Sequence, residues 1–271
     1  MTRSAAFSTL GCPGMPLPEV VEVAQTAGFA GLELRAATGE PVHVGIDSAA
    51  RRAASRSLAR AGTEVLSIAS YVRVCDADVT DDEVVGQAVA HAQLANDLRA
   101  RWLRVLPGGS TATSAPGLQS DDDARAVRRL GRICTEIAGL GVTVALETHD
   151  SHRRGADVMR LLAEPRCSGV EVVWDVLHTW LGGESATTSA TTIGDRLAYV
   201  QVKDVVSPTD LTPLPPPTGV LHLDDVAHAL RDRAYAGWLS WEYELAWNPS
   251  QPPLADLATS VRAWMAGFGS G

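Results

Sequence analysis

Glu147, Asp175, Gln201 and Glu242 each close a short apolar run, in VTVALE, VEVVWD, LAYVQ and WLSWE. Carboxylates and an amide at the ends of successive strands form an oxygen-rich set that suits a hard divalent ion such as Mg²⁺ or Mn²⁺. Gln201 adds a carbonyl oxygen to that set without adding charge. An acidic residue after a strand also commonly caps the next helix or stays solvated. Taken singly, any of the four fits that blander role; their recurrence at the same end of four runs favours a shared site.

Other residue types that do chemistry cluster around these four. His149 lies two residues after Glu147, and His178 three after Asp175. Of the basic residues, 22 are Arg and only Lys203 is Lys. Lys203 stands two residues after Gln201, which makes it a candidate for a role that the planar guanidinium does not fill. Arg35 and Arg104 fall at or near the ends of apolar runs and could grip a phosphate or carboxylate through their forked donors. Structural ion pairing is the competing role, with Glu33 the candidate partner of Arg35. Trp241 and Trp247 flank Glu242, as an apolar wall for a ligand or as packing.

Such a set needs a scaffold that returns strand ends to one place. Short apolar runs read as strands near Ala5–Leu10, Gly31–Arg35, Glu64–Ala69, Trp102–Leu106, Thr143–Glu147, Glu171–Asp175, Ala198–Lys203 and Trp238–Glu242. Between them lie helical patterns such as LPEVVEVAQTAG, DSAARRAASRSLARAG, DDEVVGQAVAHAQLANDL and DDDARAVRRLGRICTEIAGLG, with acidic or Pro-containing starts and, in three cases, Gly at the end. Eight strand–helix units in 271 residues predict one α/β domain over 1–271, a single (β/α)8 barrel. An open dinucleotide-binding sheet is the rival, but no G-x-G-x-x-G follows the first strand, and LPGGS after the fourth reads as a turn. Pro-rich SPTDLTPLPPPTG reads as irregular chain over the C-terminal rim, either a lid or a passive connection.

Composition narrows the partners. A net charge of −9 argues against a broad basic surface for nucleic acid. It accommodates a small polar substrate. No apolar run approaches the length of a membrane span. The four Cys are scattered, and MTRSAAFSTLG lacks the apolar stretch of a signal peptide, so a cytoplasmic protein with reduced thiols is the expectation.

With the strands placed, FSTLG, AGFAGLELR, LRVLPGG, ALETH, WDVLHTW, YVQVKD and YAGWLSWEYE resemble, in order and along essentially the whole chain, the xylose isomerase-like barrel superfamily and its sugar-phosphate isomerase/epimerase branch. The resemblance implies one divalent cation, Mn²⁺, Mg²⁺ or Co²⁺ with Zn²⁺ a further candidate, held by Glu147, Asp175, Gln201 and Glu242. Gln201 departs from the pattern, which has His there. The resemblance also implies Glu147 and Glu242 as proton carriers on opposite faces of the substrate, and His178 beside a substrate oxygen. Lys203, Arg35, Arg104 and His149 would contact a polyhydroxy carbonyl compound. Isomerase, epimerase and inosose dehydratase chemistry all follow from such a site. A degenerate sugar-binding barrel is the non-catalytic alternative, and a DNA-repair endonuclease on this scaffold is disfavoured by the charge. A homo-oligomer is compatible with the sequence.

Overall fold

The computed structural model describes residues 4–109 and 121–268; Ser110 of the LPGGS turn lies outside them. Eight parallel strands close into a barrel in the order β1-β10-β7-β6-β5-β4-β3-β2. They are β1 Ser4–Ser8, β2 Gly31–Arg35, β3 Glu64–Arg73, β4 Trp102–Leu106, β5 Thr143–Glu147, β6 Glu171–Asp175, β7 Leu197–Val202 and β10 Trp238–Trp241. The β/α alternation read from the sequence is therefore the architecture, with β3 longer than its apolar run.

Helices α1 Leu17–Ala27, α2 Ser48–Ala61, α3 Asp81–Asp97 and α4 Asp121–Glu136 cover the first half. Their boundaries have local causes. Gly28 and Gly62 take the left-handed conformation (φ 80° and 67°) that stops α1 and α2. Thr80 and Glu83 form a reciprocal capping box at the start of α3. The second half carries α5 Gly155–Leu162, α6 Val176–Leu181, α7 Ala186–Ile193, α8 Leu223–Asp232 and α9 Leu254–Gly267. None of the described helices is long and apolar enough to cross a membrane.

SPTDLTPLPPPTG is not irregular throughout: an antiparallel hairpin, β8 Asp204–Ser207 and β9 Asp210–Leu214, occupies its first part. Pro213 pairs with Val205 at the edge of a two-stranded ribbon, where a missing N–H is tolerated. Asp204 fixes the return, accepting from Val205 and Leu221 (both 3.0 Å) and from Gly219 (2.8 Å). A Cβ at Gly219 would fall 2.3 Å from Asp204 Oδ1, so only glycine fits that approach.

Because side chains alternate across a strand, Trp102 shares a face with Arg104, Ala145 with Glu147, Val173 with Asp175, and Tyr199 with Gln201. The first of each pair belongs to an apolar cluster of Ala6, Leu66, Trp102, Ala145, Val173, Ala198 and Tyr199 that plugs the barrel. The second of each pair, one layer toward the strand C-termini, is polar and buried. The larger core lies between the strands and the helical ring. Trp241 is in that outer core, stacked near Phe29 (6.4 Å) and Tyr243 (5.5 Å), and is packing instead of a site wall.

Candidate active site

Three neighbouring strands, β6, β7 and β10, deliver Asp175, Gln201, Lys203 and Glu242 to one buried spot. The register pairs Asp175 with Gln201 and Gln201 with Ser240. Lys203, two residues beyond Gln201, reaches across to three carboxylates. Its Nζ is 2.7 Å from Asp175 Oδ2 and 2.9 Å from Glu244 Oε1, and it also donates to Glu242 Oε2. Burial opposes the ammonium charge, but Asp175, Glu242 and Glu244 outweigh it and hold the Lys203 pKa well above its ordinary value.

Asp175 performs the bland role and a second one together. Oδ1 caps α6, accepting from Leu177 N (2.8 Å) and His178 N (3.1 Å), while Oδ2 faces Lys203. Gln201 is fully buried and directs its amide nitrogen at Glu33 Oε1 (2.9 Å) and Glu242 Oε1 (3.2 Å); its Oε1 has no hydrogen-bond partner. Glu33 therefore serves Gln201, Tyr199 (3.0 Å) and Ser240 (2.9 Å), and is not the partner of Arg35. Burial, then repulsion from Glu242, raises Glu33 to about 7.

Glu147, at the end of β5, is also fully buried. Arg104 Nη1 lies 3.0 Å from its Oε2, off the line of a hydrogen bond, so that Oε2 is buried without one. Burial raises Glu147 to about 7 despite Arg104 and His149. Burial also opposes the Arg104 charge, which Glu147, Glu33 and Glu242 nonetheless hold in place.

His149 and His178 meet at the rim, their ring centroids 3.9 Å apart. His149 Nε2 is 4.0 Å from Glu147 Oε1, and its Nδ1 is 2.8 Å from Asp150 Oδ1. Burial resists the imidazolium of His149, but Asp150 and Glu147 raise its pKa. Burial, with His149 and Lys203 nearby, drives His178 well below its ordinary value and keeps it neutral. Its Nδ1 is buried without a partner. His152 turns away from the mouth, held by Ser151 (2.9 Å) and Asp123 (3.0 Å).

Arg35 stands at the edge of this cluster. It is paired with Glu40, donates from Nε to the Tyr71 hydroxyl (2.7 Å), and lies 5.1 Å from the Trp247 ring. Trp247 is 56% exposed and lies over the Arg35 guanidinium.

The structure thus brings together Glu147, Asp175, Gln201, Glu242, His149, His178, Lys203 and Arg104. Tyr199, Ser240, Glu244 and Asp150 are further members of the network that motif reading did not single out, and Glu33 joins it in a role other than the one expected of it. The spacing of Ser240, Glu242 and Glu244 at every second residue carried the signal for two of them.

Six carboxyl groups, of Glu33, Glu147, Asp150, Asp175, Glu242 and Glu244, surround the cations of Arg104 and Lys203 and the His149 imidazole. That excess of negative charge and the unpartnered Glu147 Oε2, Gln201 Oε1 and His178 Nδ1 fit a divalent cation. Among the described residues, the group whose potential ligand atoms lie together is Glu147, His149 and His178, all within 4.8 Å of one another.

A family model described as xylose isomerase-like TIM barrel matches residues 21–266. No curated protein matches the chain in sequence. Among solved structures, the IolI protein with a bound zinc atom is 14% identical, with a TM-score of 0.82 over 100% of this chain and 98% of that one. A D-psicose 3-epimerase crystallised in the presence of D-fructose is 14% identical, with a TM-score of 0.80 over the full length of both chains (100% each). The probable 3-DHS dehydratase AsbF from Bacillus anthracis, involved in petrobactin synthesis, is 17% identical, with a TM-score of 0.78 over 96% of this chain and 97% of that one. At such identities the shared feature is the fold.

Proposed function

The chain belongs to the xylose isomerase-like TIM-barrel family, and from that premise we propose that it is a metal-dependent isomerase or epimerase of a small ketose, sugar phosphate or related polyhydroxy carbonyl compound. The observation that carries this reading is the buried Glu147 carboxyl, raised to about 7 beside two histidines and an arginine at the mouth of the barrel. A base that removes a proton from carbon at neutral pH works best with a pKa near the ambient value.

In this mechanism Glu147 takes the proton from the carbon next to the substrate carbonyl, and Arg104 keeps its carboxylate aimed into the mouth. Neutral His178 sits where it could hand a proton to, or take one from, a substrate oxygen. Glu242, which accepts from Lys203 and Gln201, would return a proton from the other side after taking it from the Lys203 ammonium. A divalent ion, Mn²⁺, Mg²⁺, Co²⁺ or Zn²⁺, would when bound supply the positive charge that lowers the cost of the enediolate. Glu147, Asp175, Gln201 and Glu242 are one set that would hold it; Glu147, His149 and His178 are another. Arg35, paired with Glu40 and lying against Tyr71 and Trp247, would meet the distal end of the substrate.

The neighbours that support this reading are a ketose epimerase and a dehydratase, described as such for those proteins. Loss of a hydroxyl instead of return of a proton would make the same Glu147 the base of a dehydratase.

The test is a screen of ketoses, inososes and their phosphates with each ion in deuterated water. Deuterium entering the carbon next to the carbonyl, lost in Glu147→Gln, is the expected result. Absence of exchange with every substrate would leave the reading without support, and loss of water from the exchanging substrate would assign the dehydratase.

A further inference from the structure

We propose that His152 is a positioning residue: with Asp123 and Ser151 it pins the turn that stations His149 and Asp150 at the mouth of the barrel. The inference rests on the reading above for the reaction at the mouth, and adds which buried side chains hold one wall of it in place.

The turn follows β5, and its conformation needs outside support. His149 and His152 pair backbone to backbone across it, at 3.2 and 2.9 Å, with Asp150 and Ser151 at the corner. Asp150 takes φ 46°, a left-handed conformation that a residue with a Cβ keeps only where its surroundings impose it. The His149 ring meets that of His178 at 3.9 Å between centroids, but its Nδ1 is buried without a hydrogen bond. Where the ring sits therefore follows from where the turn sits.

His152, the other end of that backbone pair, is fixed at both nitrogens of its ring. It is buried, as is Asp123. Nδ1 lies 2.9 Å from Ser151 Oγ, and Nε2 lies 3.0 Å from Asp123 Oδ1. Ser151 Oγ accepts from Gly109 N–H (3.1 Å), which leaves the hydroxyl hydrogen for Nδ1 and the ring proton on Nε2 for Asp123. Every donor in that series then has an acceptor. Gly109 is required for it, because a Cβ there would fall 2.8 Å from Ser151 Oγ.

Asp123 carries the tie into the helical ring. It stands in the first turn of α4 and accepts from Arg160 of α5, from Nε at 2.7 Å and from Nη2 at 3.2 Å. Burial opposes the Asp123 carboxylate, but Arg160 and His152 outweigh it and hold its pKa below the ordinary value. One turn is thus bound to the chain after β4 and to two helices. His152 points away from the mouth, so its effect passes to His149 through the two backbone hydrogen bonds. A displacement of about 1 Å in such a wall can cost roughly 10²-fold in rate.

Protein carrying a carbon isotope in the rings of its seven histidines tests the inference by nuclear magnetic resonance. His149→Gln and His178→Gln assign two signals by deletion, and each deletion should move the other signal, since the two rings touch. His152→Ala should collapse that mutual shift in a chain whose circular dichroism stays folded. At saturating substrate it should also lower proton exchange roughly 10²-fold, through kcat more than KM. His152→Gln, which keeps a donor for Asp123, should recover most of both. Parent-like signals of His149 and His178 in folded His152→Ala overturn the inference, as does a Gln variant no better than Ala. Should His152→Ala fail to fold, Ser151→Ala decides, because it removes one tie of the two: a moved His149 signal is expected, and an unmoved one overturns the inference. A parent that exchanges no substrate proton removes the proposed reaction, and the ring signals still judge the anchor.

Discussion

Lys203 Nζ lies 2.7 Å from Asp175 Oδ2 at the buried end of two adjacent barrel strands. The chain's only lysine thus takes a post as the internal counter-ion of Asp175, Glu242 and Glu244. A compact ammonium can be surrounded by three carboxylates from three directions, which a planar guanidinium cannot.

Lys203→Met should destabilise the metal-free protein by about 3–5 kcal/mol, the usual cost of leaving buried charge without its partner. The vacated place should then accept Mg²⁺ or Mn²⁺, so that added ion recovers much of the loss. Urea unfolding with and without Mg²⁺ measures both effects. A variant as stable as the parent would show that Lys203 is not needed to neutralise these carboxylates.

Glu147→Gln should lower proton exchange by roughly 10²-fold or more, because the amide cannot accept the proton. Glu242→Gln should do the same only if it returns the proton. Rates compared at saturating metal, with ion content measured on the same samples, separate lost base from lost ligand. Exchange that simply follows bound ion in Glu147→Gln would reduce Glu147 to a ligand.

Stability of the metal-free protein should fall as pH rises from 4.5 to about 7. Glu33 and Glu147 are raised from 4.5 to about 7 in the folded chain, so across that window the fold holds protons that the unfolded chain has released. Their contribution is fully present below 4.5 and lost as pH climbs through the folded value, with a slope of at most about 1.4 kcal/mol per pH unit for each group. Glu33→Gln should flatten the profile of the urea midpoint against pH. Zn²⁺ should flatten it further by favouring ionised Glu147. A profile that rises across the same window contradicts the assignment.

The two tryptophans near Glu242 should behave differently. Trp241→Ala removes a fully buried ring and should cost about 3–5 kcal/mol. Trp247→Ala should change stability by no more than about 0.5 kcal/mol and act on KM instead, since Trp247 is exposed and lies over Arg35. Equal destabilisation by both, measured by thermal unfolding, would place Trp247 in the fold and not at the substrate.

The amino-acid sequence alone determined the barrel and the strand ends that carry its chemistry. Apolar runs at a spacing of two, acidic or Pro-containing helix starts and glycine stops are local signals, and local sterics fix the elements they mark. Even so, it missed the hairpin of Asp204–Leu214, because cross-strand pairing and the grip of Asp204 on Gly219 are not visible in a proline-rich string. In the site, the sequence put Lys203 on the same face as Gln201, but only the strand order β6-β7-β10 decided that its ammonium lands on Asp175 and Glu242. Likewise, Glu33 was legible as a neighbour of Arg35, yet barrel closure turned it inward to Tyr199, Gln201 and Ser240, leaving Arg35 to Glu40. The meeting of His149 with His178 depended on two loops from different strands and on the φ 46° turn at Asp150. Charge partners of a long side chain are chosen by which carboxylates surround its tip, and that is a property of neighbouring strands in space rather than of positions along the chain.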